Sequence, residues 1–125
     1  VNQVLSAGDI RNFRRFAESV VCSDKIVEYI VQIISVTRPS EKKQSEHDIT
    51  RYITVGASPR AGIAMLQCAR AASLMAGRSF VLPEDVKAVA HQVLRHRLVL
   101  SYEAAANGIC ADDIISKILD YVPVP

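Results

Sequence analysis

One segment in the middle of the chain limits the fold more than any other, because it is a long helical pattern with almost no charge. Ser58 is a suitable N-cap, Pro59 fits the first helical position, and Gly77 is a typical residue for ending a helix. Between Pro59 and Gly77 the only charged side chains are Arg60 and Arg70. Other elements must cover most sides of such a helix. We therefore predict a helical domain with this helix at its centre.

Four further helices are predicted around this segment from apolar residues that recur at helical spacing. The first begins after Ser6, and Asp9 follows three residues later in the pattern of a capping box. The second begins after Ser23, and the last covers about residues 112–121. The fourth begins after Leu82, where a Ser or Thr would cap better, so about 1 kcal/mol of capping is expected to be lost. The predicted fold class is all-α, a bundle of about five helices with short extended connections.

The connections between these helices are predicted to be polar or extended. Residues 39–48 carry charges of both signs and follow the second helix, so we expect an exposed connector. Residues 49–55 and 78–82 are expected to be short extended segments. In the first of these, three side chains are candidates for burial: Tyr52, Ile53 and Val55.

The composition excludes several classes of protein. Half of the 125 residues are hydrophobic, 22% are charged and the formal net charge is +2. This balance is too apolar for a disordered chain and not basic enough for a dedicated nucleic-acid binder. The sequence has no run of about 18 apolar residues that would span a bilayer, and no secretory signal is visible. We therefore expect neither a membrane nor a nucleic acid as a partner.

The cysteines indicate a reducing compartment. Cys22, Cys68 and Cys110 are odd in number and widely spaced, and they contain no C-x-x-C pair. A disulfide framework or a zinc site is therefore not predicted. We expect a cytoplasmic protein whose three thiols lie in or near the core.

The sequence lacks the motifs of common enzymes and metal sites. It contains no G-x-x-x-x-G-K-[ST] phosphate loop, no G-x-G-x-x-G and no H-E-x-x-H. His91 and His96 are five residues apart and do not share a helix face, which argues against a metal pair. Asp112 and Asp113 lie where the last helix begins, and complementarity to the helix dipole explains them. No metal site is predicted.

Arg60 is the residue that general rules explain least well. It falls in the first turn of a helix, and a cation at that positively polarised end costs about 0.3–1 kcal/mol unless an anion lies nearby. Helix N-termini bind phosphate, and the arginine guanidinium is a planar, permanently charged donor suited to phosphate oxygens. Local physics alone leaves two interpretations open, an ordinary surface arginine and a phosphate contact.

Three short segments occur together in a combination that is specific. They are GASPRA at residues 56–61, PEDV at 83–86 and VLRHRL at 93–98. With the sequence around them, from about Val20 to the closing ILDYVPVP, they resemble the C-terminal lid of the MoxR family of AAA+ ATPases. Each segment alone would be a weak signal, and the residues before Val20 also fit the family.

The resemblance implies a role for Arg60. In this family an upstream α/β core holds the Walker A and B segments, and the helical lid closes over the nucleotide. Arg60 corresponds to the sensor-2 arginine, which would reach the γ-phosphate of ATP and contribute to its hydrolysis. Ser58 and Pro59 would set the helix start that aims Arg60. Gly56 and Ala57 would allow backbone to pass close by.

The resemblance also implies cofactors and partners. Residues 1–125 would be one lid domain, a C-terminal fragment of a longer ATPase that uses ATP and Mg²⁺. The fragment, which begins without Met, lacks the Walker segments, so it would hold no cofactor and would not be catalytic alone. The full-length protein would pack the lid on its own N-terminal core and form a homo-oligomeric ring, for which a hexamer is expected. Its clients would include von Willebrand A-type partners.

Several basic residues and two other functions stay open. Arg70 and Arg78 could contact the large domain or an adjacent subunit, or be solvated or ion-paired. His91, Arg95 and Arg97 could form a subunit contact or a solvated helix face. The same basic cluster supports an alternative function, a free-standing helical module that binds protein or nucleic acid. A second alternative is the lid of a magnesium-chelatase-like AAA+ subunit.

Overall fold

The computed structural model describes residues 2–39 and 49–125, and it is mostly helical, as predicted. The exposed connector predicted for residues 39–48 therefore lies, apart from Pro39, outside the described residues. A short 3₁₀ helix (Ile49–Tyr52) precedes the first strand. The helices and strands, in chain order, are α1 (Ala7–Glu18), α2 (Asp24–Val36), β1 (Ile53–Val55), α3 (Pro59–Met75), α4 (Pro83–Leu94), β2 (Val99–Leu100), α5 (Tyr102–Ala106) and α6 (Ala111–Tyr121).

Helix α3 lies at the centre of the bundle, as its low charge predicts. It packs against α1, α2 and α4, while α6 packs against α4 and α2. Its fully buried residues recur every four positions and form one continuous row: Ala61, Met65, Ala69 and Ser73. The opposite side is less covered than predicted, since Ile63 is 59% exposed and Met75 is 89% exposed.

The helix starts follow the predicted pattern with differences in detail. The capping box of α1 is present, because the backbone N–H of Asp9 donates to Ser6 Oγ at 3.2 Å and that of Ser6 donates to Asp9 Oδ2 at 2.8 Å. Ser23 takes the N-cap position of α2, but its side chain makes no capping bond with the described residues. At α4 the Asp85 carboxylate accepts from the N–H of Leu82 at 2.8 Å. Asp85 thus supplies half of the capping box that Leu82 cannot complete.

The connections form a small sheet that the sequence pattern only partly predicts. Strand β1 pairs antiparallel with β2, with Ile53 opposite Leu100 and Val55 opposite Val99. Ile53 is buried and Tyr52 is half-buried, as predicted. The burial predicted for Val55 is wrong, because this side chain, at the end of a three-residue strand whose pairing is irregular, is 54% exposed. Strand β2 and helix α5 were not predicted, since two and five residues are too short to show a periodicity.

The predicted extended segment 78–82 is also found. The N–H of Val21 donates to the carbonyl of Ser79 at 2.9 Å, and the N–H of Val81 donates to the carbonyl of Val21 at 3.0 Å. These bonds form an isolated parallel bridge that joins the α1–α2 connection to the segment after α3.

The predicted location of the cysteines needs correction. The cysteines are free, but only Cys22 is partly buried, while Cys68 and Cys110 are exposed. Cys22 packs against the core, as predicted, whereas Cys68, beside the buried row of α3, and Cys110, the N-cap of α6, lie at the surface. Helix α1 has no buried residue, and Phe13 and Phe16 are 50% and 59% exposed although they recur at core spacing.

In the described part of the chain, no helix combines the length and apolar character needed to cross a bilayer.

Candidate functional site

The start of α3 is left without the usual cap. Ser58 has the extended backbone of an N-cap residue, and Pro59 occupies the first helical position, as predicted. The carbonyl of Ser58 accepts from the N–H of Ala61 at 2.8 Å. The Ser58 side chain makes no capping hydrogen bond with the described residues. The positive end of the helix dipole is therefore not neutralised by a side chain of its own N-cap.

Arg60 adds a positive charge to this uncapped helix end. Its side chain is exposed and makes no ion pair or hydrogen bond with residues 2–39 or 49–125. The first turn of α3 contains no acidic residue that would compensate the charge. The guanidinium can therefore be approached from outside, and nothing within the described domain explains its position.

The segment before α3 is fixed against the end of α2. Thr37 is fully buried, and its Oγ1 donates to the carbonyl of Ile34 at 2.6 Å while accepting from the N–H of Ala57 at 2.9 Å. A Cβ atom at Gly56 would lie 2.4 Å from the carbonyl oxygen of Thr37 and 2.9 Å from Cα of Arg38. Gly56 does allow a close approach of backbone, and the backbone it approaches is that of α2. The sequence pattern gives no signal for Thr37, because the N–H that it binds is twenty residues away.

An apolar cleft of about 390 Å³ lies between α2 and α3 beside this segment. Val31 and Ile34 line one side, Ile63 and Leu66 line the other, and Pro59 marks the end next to Arg60. The start of α3 thus combines a cationic tip with an adjoining apolar surface.

Arg78 is engaged within the domain. Its two terminal nitrogens donate to the Asp85 carboxylate at 2.8 and 2.6 Å, and Ser73 Oγ donates to the same carboxylate at 2.7 Å. The hydrogen bonds from Arg78, with smaller contributions from Leu82 and Ser73, lower the pKa of Asp85 to about 2. Of the roles left open for Arg78, the structure supports the ion pair.

The basic cluster of α4 also has an internal partner. Asp112 of α6 accepts from Arg95 Nε at 2.9 Å and lies 3.3 Å from Nδ1 of His91. The hydrogen bond from Arg95, followed by that from His91, lowers the pKa of Asp112. Arg97 is half-buried, and its Nε has no partner among the described residues. The acidic partner of Arg95 and His91 removes most of the support for a nucleic-acid-binding face.

Arg70 stays unassigned. It is half-buried, its Nε has no hydrogen-bond partner in the described ranges, and it lines a cavity between α1 and α3 together with Arg14 and Glu18. The described residues also contain no group of three or more His, Cys, Asp or Glu side chains that could hold a metal ion.

Comparison with known proteins connects this helix start to a family. Residues 45–118, which include α3 and α4, match the family model described as the AAA lid domain. Chaperone MoxR1 of Mycobacterium tuberculosis is 37% identical over 123 residues, which cover 98% of this chain and 32% of that protein. Protein MoxR of Methylorubrum extorquens is 35% identical over 77 residues, 60% of this chain and 22% of that protein.

A solved structure shows the same fold. The crystal structure of a candidate ATPase from Cytophaga hutchinsonii superimposes with a TM-score of 0.89 and is 36% identical, covering all of this chain and 38% of that one. The chain spans about a third of the length of the relatives that match nearly all of it.

Proposed function

The chain is an AAA lid domain of the MoxR family, and we propose that it closes over ATP held by a nucleotide-binding core in the same polypeptide. In this proposal residues 1–125 are one lid domain at the C-terminal end of a longer ATPase. Arg60 is its sensor-2 arginine, which contacts the γ-phosphate and contributes to hydrolysis. The proposal extends the family assignment to a specific residue and a specific step.

The observation that supports it is the contrast between Arg60 and the arginines beside Asp85 and Asp112. Arg78 and Arg95 both donate to a carboxylate of the domain, whereas Arg60 has no described partner and lies on an uncapped helix start. An anion at that end would be favoured by the helix dipole and by the guanidinium together. A phosphate oxygen fits both requirements.

The chemistry at this position is electrostatic. Bound ATP with Mg²⁺ supplies the phosphoryl group, whose equatorial oxygens carry the charge of the transition state. Arg60 would donate to those oxygens, and Pro59 and Ser58 would hold the first turn of α3 in the orientation that directs it. In this proposal the Mg²⁺ ligands lie in the core domain, together with the Walker segments.

The names of the relatives support a proposal for the biological role. One of them is named a chaperone, and we propose that this chain likewise couples ATP hydrolysis to the remodelling or activation of client proteins. The full-length protein would be cytoplasmic and would form a homo-oligomeric ring, with a hexamer as the expected form. Its clients would include von Willebrand A-type proteins. The MoxR relatives favour this role over that of a magnesium-chelatase subunit.

Replacement of Arg60 in the full-length protein tests the assignment. Arg60→Ala should lower kcat for ATP about 100-fold, because a preorganised donor to the transition state is lost. Arg95→Ala is the matched control, since it removes an exposed arginine whose partner lies in the domain, and kcat should stay within about twofold. Steady-state phosphate release measures both. Unchanged kcat in a folded, assembled Arg60→Ala protein would refute the assignment, as would a parent sequence without a phosphate loop.

A further inference from the structure

The hydroxyl of Thr37 makes two hydrogen bonds, and only one of them lies within its own helix. It is the C-cap of α2, is fully buried, and donates its hydroxyl proton to the carbonyl of Ile34 at 2.6 Å. That bond satisfies a carbonyl in the last turn of α2, as many threonines at helix ends do. The second bond of the hydroxyl does not serve α2. It accepts from the N–H of Ala57, twenty residues further along the chain.

The bond to Ala57 fixes the segment that leads into α3. Ala57 is 2% exposed, so its N–H has no access to water as a substitute partner. On the preceding residue, any side chain would collide with backbone, since the carbonyl oxygen of Thr37 lies 2.4 Å from a Cβ built at Gly56. The main chain at 56–57 therefore touches α2 directly and is held there by one hydroxyl.

Little conformational freedom is left between this anchor and Arg60. Ser58 has extended backbone angles, with φ −78° and ψ 164°, and the ring of Pro59 fixes the φ of the first helical residue. Arg60 follows directly. Displacement of Ala57 would therefore be passed along three residues to the guanidinium.

We propose that Thr37 is a positioning residue for Arg60, acting through its hydrogen bond to Ala57. The inference depends on the proposed function, because only a nucleotide contact makes the exact placement of Arg60 matter. It adds a residue on another helix whose hydroxyl sets the geometry of that contact. Thr37 itself does not touch the nucleotide.

The test compares variants of Thr37 in the full-length ATPase. Thr37→Val keeps the shape of the side chain and removes both hydrogen bonds, and kcat should fall about tenfold with a smaller change in KM, because small displacements of a transition-state donor are costly. Thr37→Ser retains the hydroxyl and should restore kcat to within about twofold of wild type. Hydrogen exchange of the segment 56–60 should be faster in Thr37→Val than in wild type or Thr37→Ser.

Ser73→Ala is the matched control for the loss of a buried hydroxyl. Ser73 is also fully buried and donates to Asp85 at 2.7 Å, but it lies about 20 Å from Arg60 along α3. This variant should lose stability while its kcat stays within about twofold of wild type, because the contact that it breaks does not hold the start of α3.

The double variant Thr37→Val/Arg60→Ala separates positioning from general destabilisation. If Thr37 acts through Arg60, the double variant should be no slower than Arg60→Ala alone, since the effects of substitutions at coupled residues do not add. Multiplicative losses, or a normal kcat in Thr37→Val, would overturn the positioning role and leave the role of Arg60 intact. A normal kcat in Arg60→Ala would instead overturn the proposed function and this inference with it.

Thr37→Cys provides a second test of the positioning role if Thr37→Val does not assemble. Thr37→Cys offers a weaker donor and acceptor than the hydroxyl, so its kcat should fall between those of Thr37→Ser and Arg60→Ala. A kcat equal to that of Thr37→Ser would overturn the positioning role.

Discussion

Helices α3 and α4 begin with the same backbone pattern, but the side chains in their first turns carry opposite charges. Each follows an extended residue, has Pro at its first position, and lacks a capping bond from its own N-cap side chain within the described structure. At α4 the acidic residues Glu84 and Asp85 complement the dipole, and Asp85 binds Leu82, Ser73 and Arg78. At α3 the corresponding turn carries a cation.

The two helix starts differ in whether an acidic side chain compensates the positive end of the helix dipole. The α4 start contains its own anion, so no outside group is needed to stabilise it. Within residues 2–39 and 49–125, the contributions at the α3 start are only positive, namely the dipole and Arg60. A cation in that turn costs about 0.3–1 kcal/mol unless an anion lies nearby. The arrangement is the one expected if the missing anion is a ligand.

Removal of the anion at α4 should have the largest effect on stability. Asp85→Ala removes the carboxylate to which Arg78 and Ser73 both donate and leaves the α4 dipole without this anion, so the free energy of unfolding should fall by about 3 kcal/mol. Urea unfolding of the chain followed by circular dichroism measures the change. Arg60→Ala is the comparison and should leave the midpoint nearly unchanged. Similar losses in both variants would mean that the two helix starts do not differ in the way described.

The sequence pattern predicted the elements whose signals are local. Helix α3 was predicted with nearly correct ends because Ser58, Pro59 and Gly77 mark it within one stretch of chain. The capping box of α1 was predicted for the same reason. Strand β2 and α5 were not, because their existence depends on pairing with β1 and on packing.

The residues of the candidate site were detectable from the sequence only in part, for the same physical reason, and the role of Arg60 stays a prediction. Arg60 stands out because a cation in the first helical turn breaks a local rule. Thr37 does not stand out, since its role depends on a hydrogen bond to Ala57 that only the packing of α2 against α3 brings about. The partners of Arg78 and Arg95 were likewise undetermined until the fold brought Asp85 and Asp112 to them.

Acid should weaken the α4 start selectively. The pKa of Asp85 lies near 2 in the folded chain, below its ordinary value of 3.8, so the folded state favours the ionised carboxylate. The resulting stability, about 2 kcal/mol, is fully present above pH 3.8 and is lost as the pH falls towards 2. Asp85→Asn should lack this component. The difference in unfolding free energy between wild type and Asp85→Asn should therefore shrink between pH 4 and pH 2. A difference that is constant with pH would show that the charge of Asp85 does not stabilise the fold.

Charge reversal at α3 should have the smallest effect and the opposite sign. Arg60→Glu places an anion in the first turn of α3, where the dipole favours it, so the chain should become more stable by about 0.5–1 kcal/mol. The gain should decrease in high salt, because the position is exposed. If Arg60 contacts the γ-phosphate as proposed, the same change in the full-length protein should lower kcat at least as much as Arg60→Ala, since it would put a negative charge against phosphate. A variant that is more stable and less active would show that Arg60 is kept at the expense of the fold, whereas a loss of stability would mean that the chain itself already supplies an anion to this helix end.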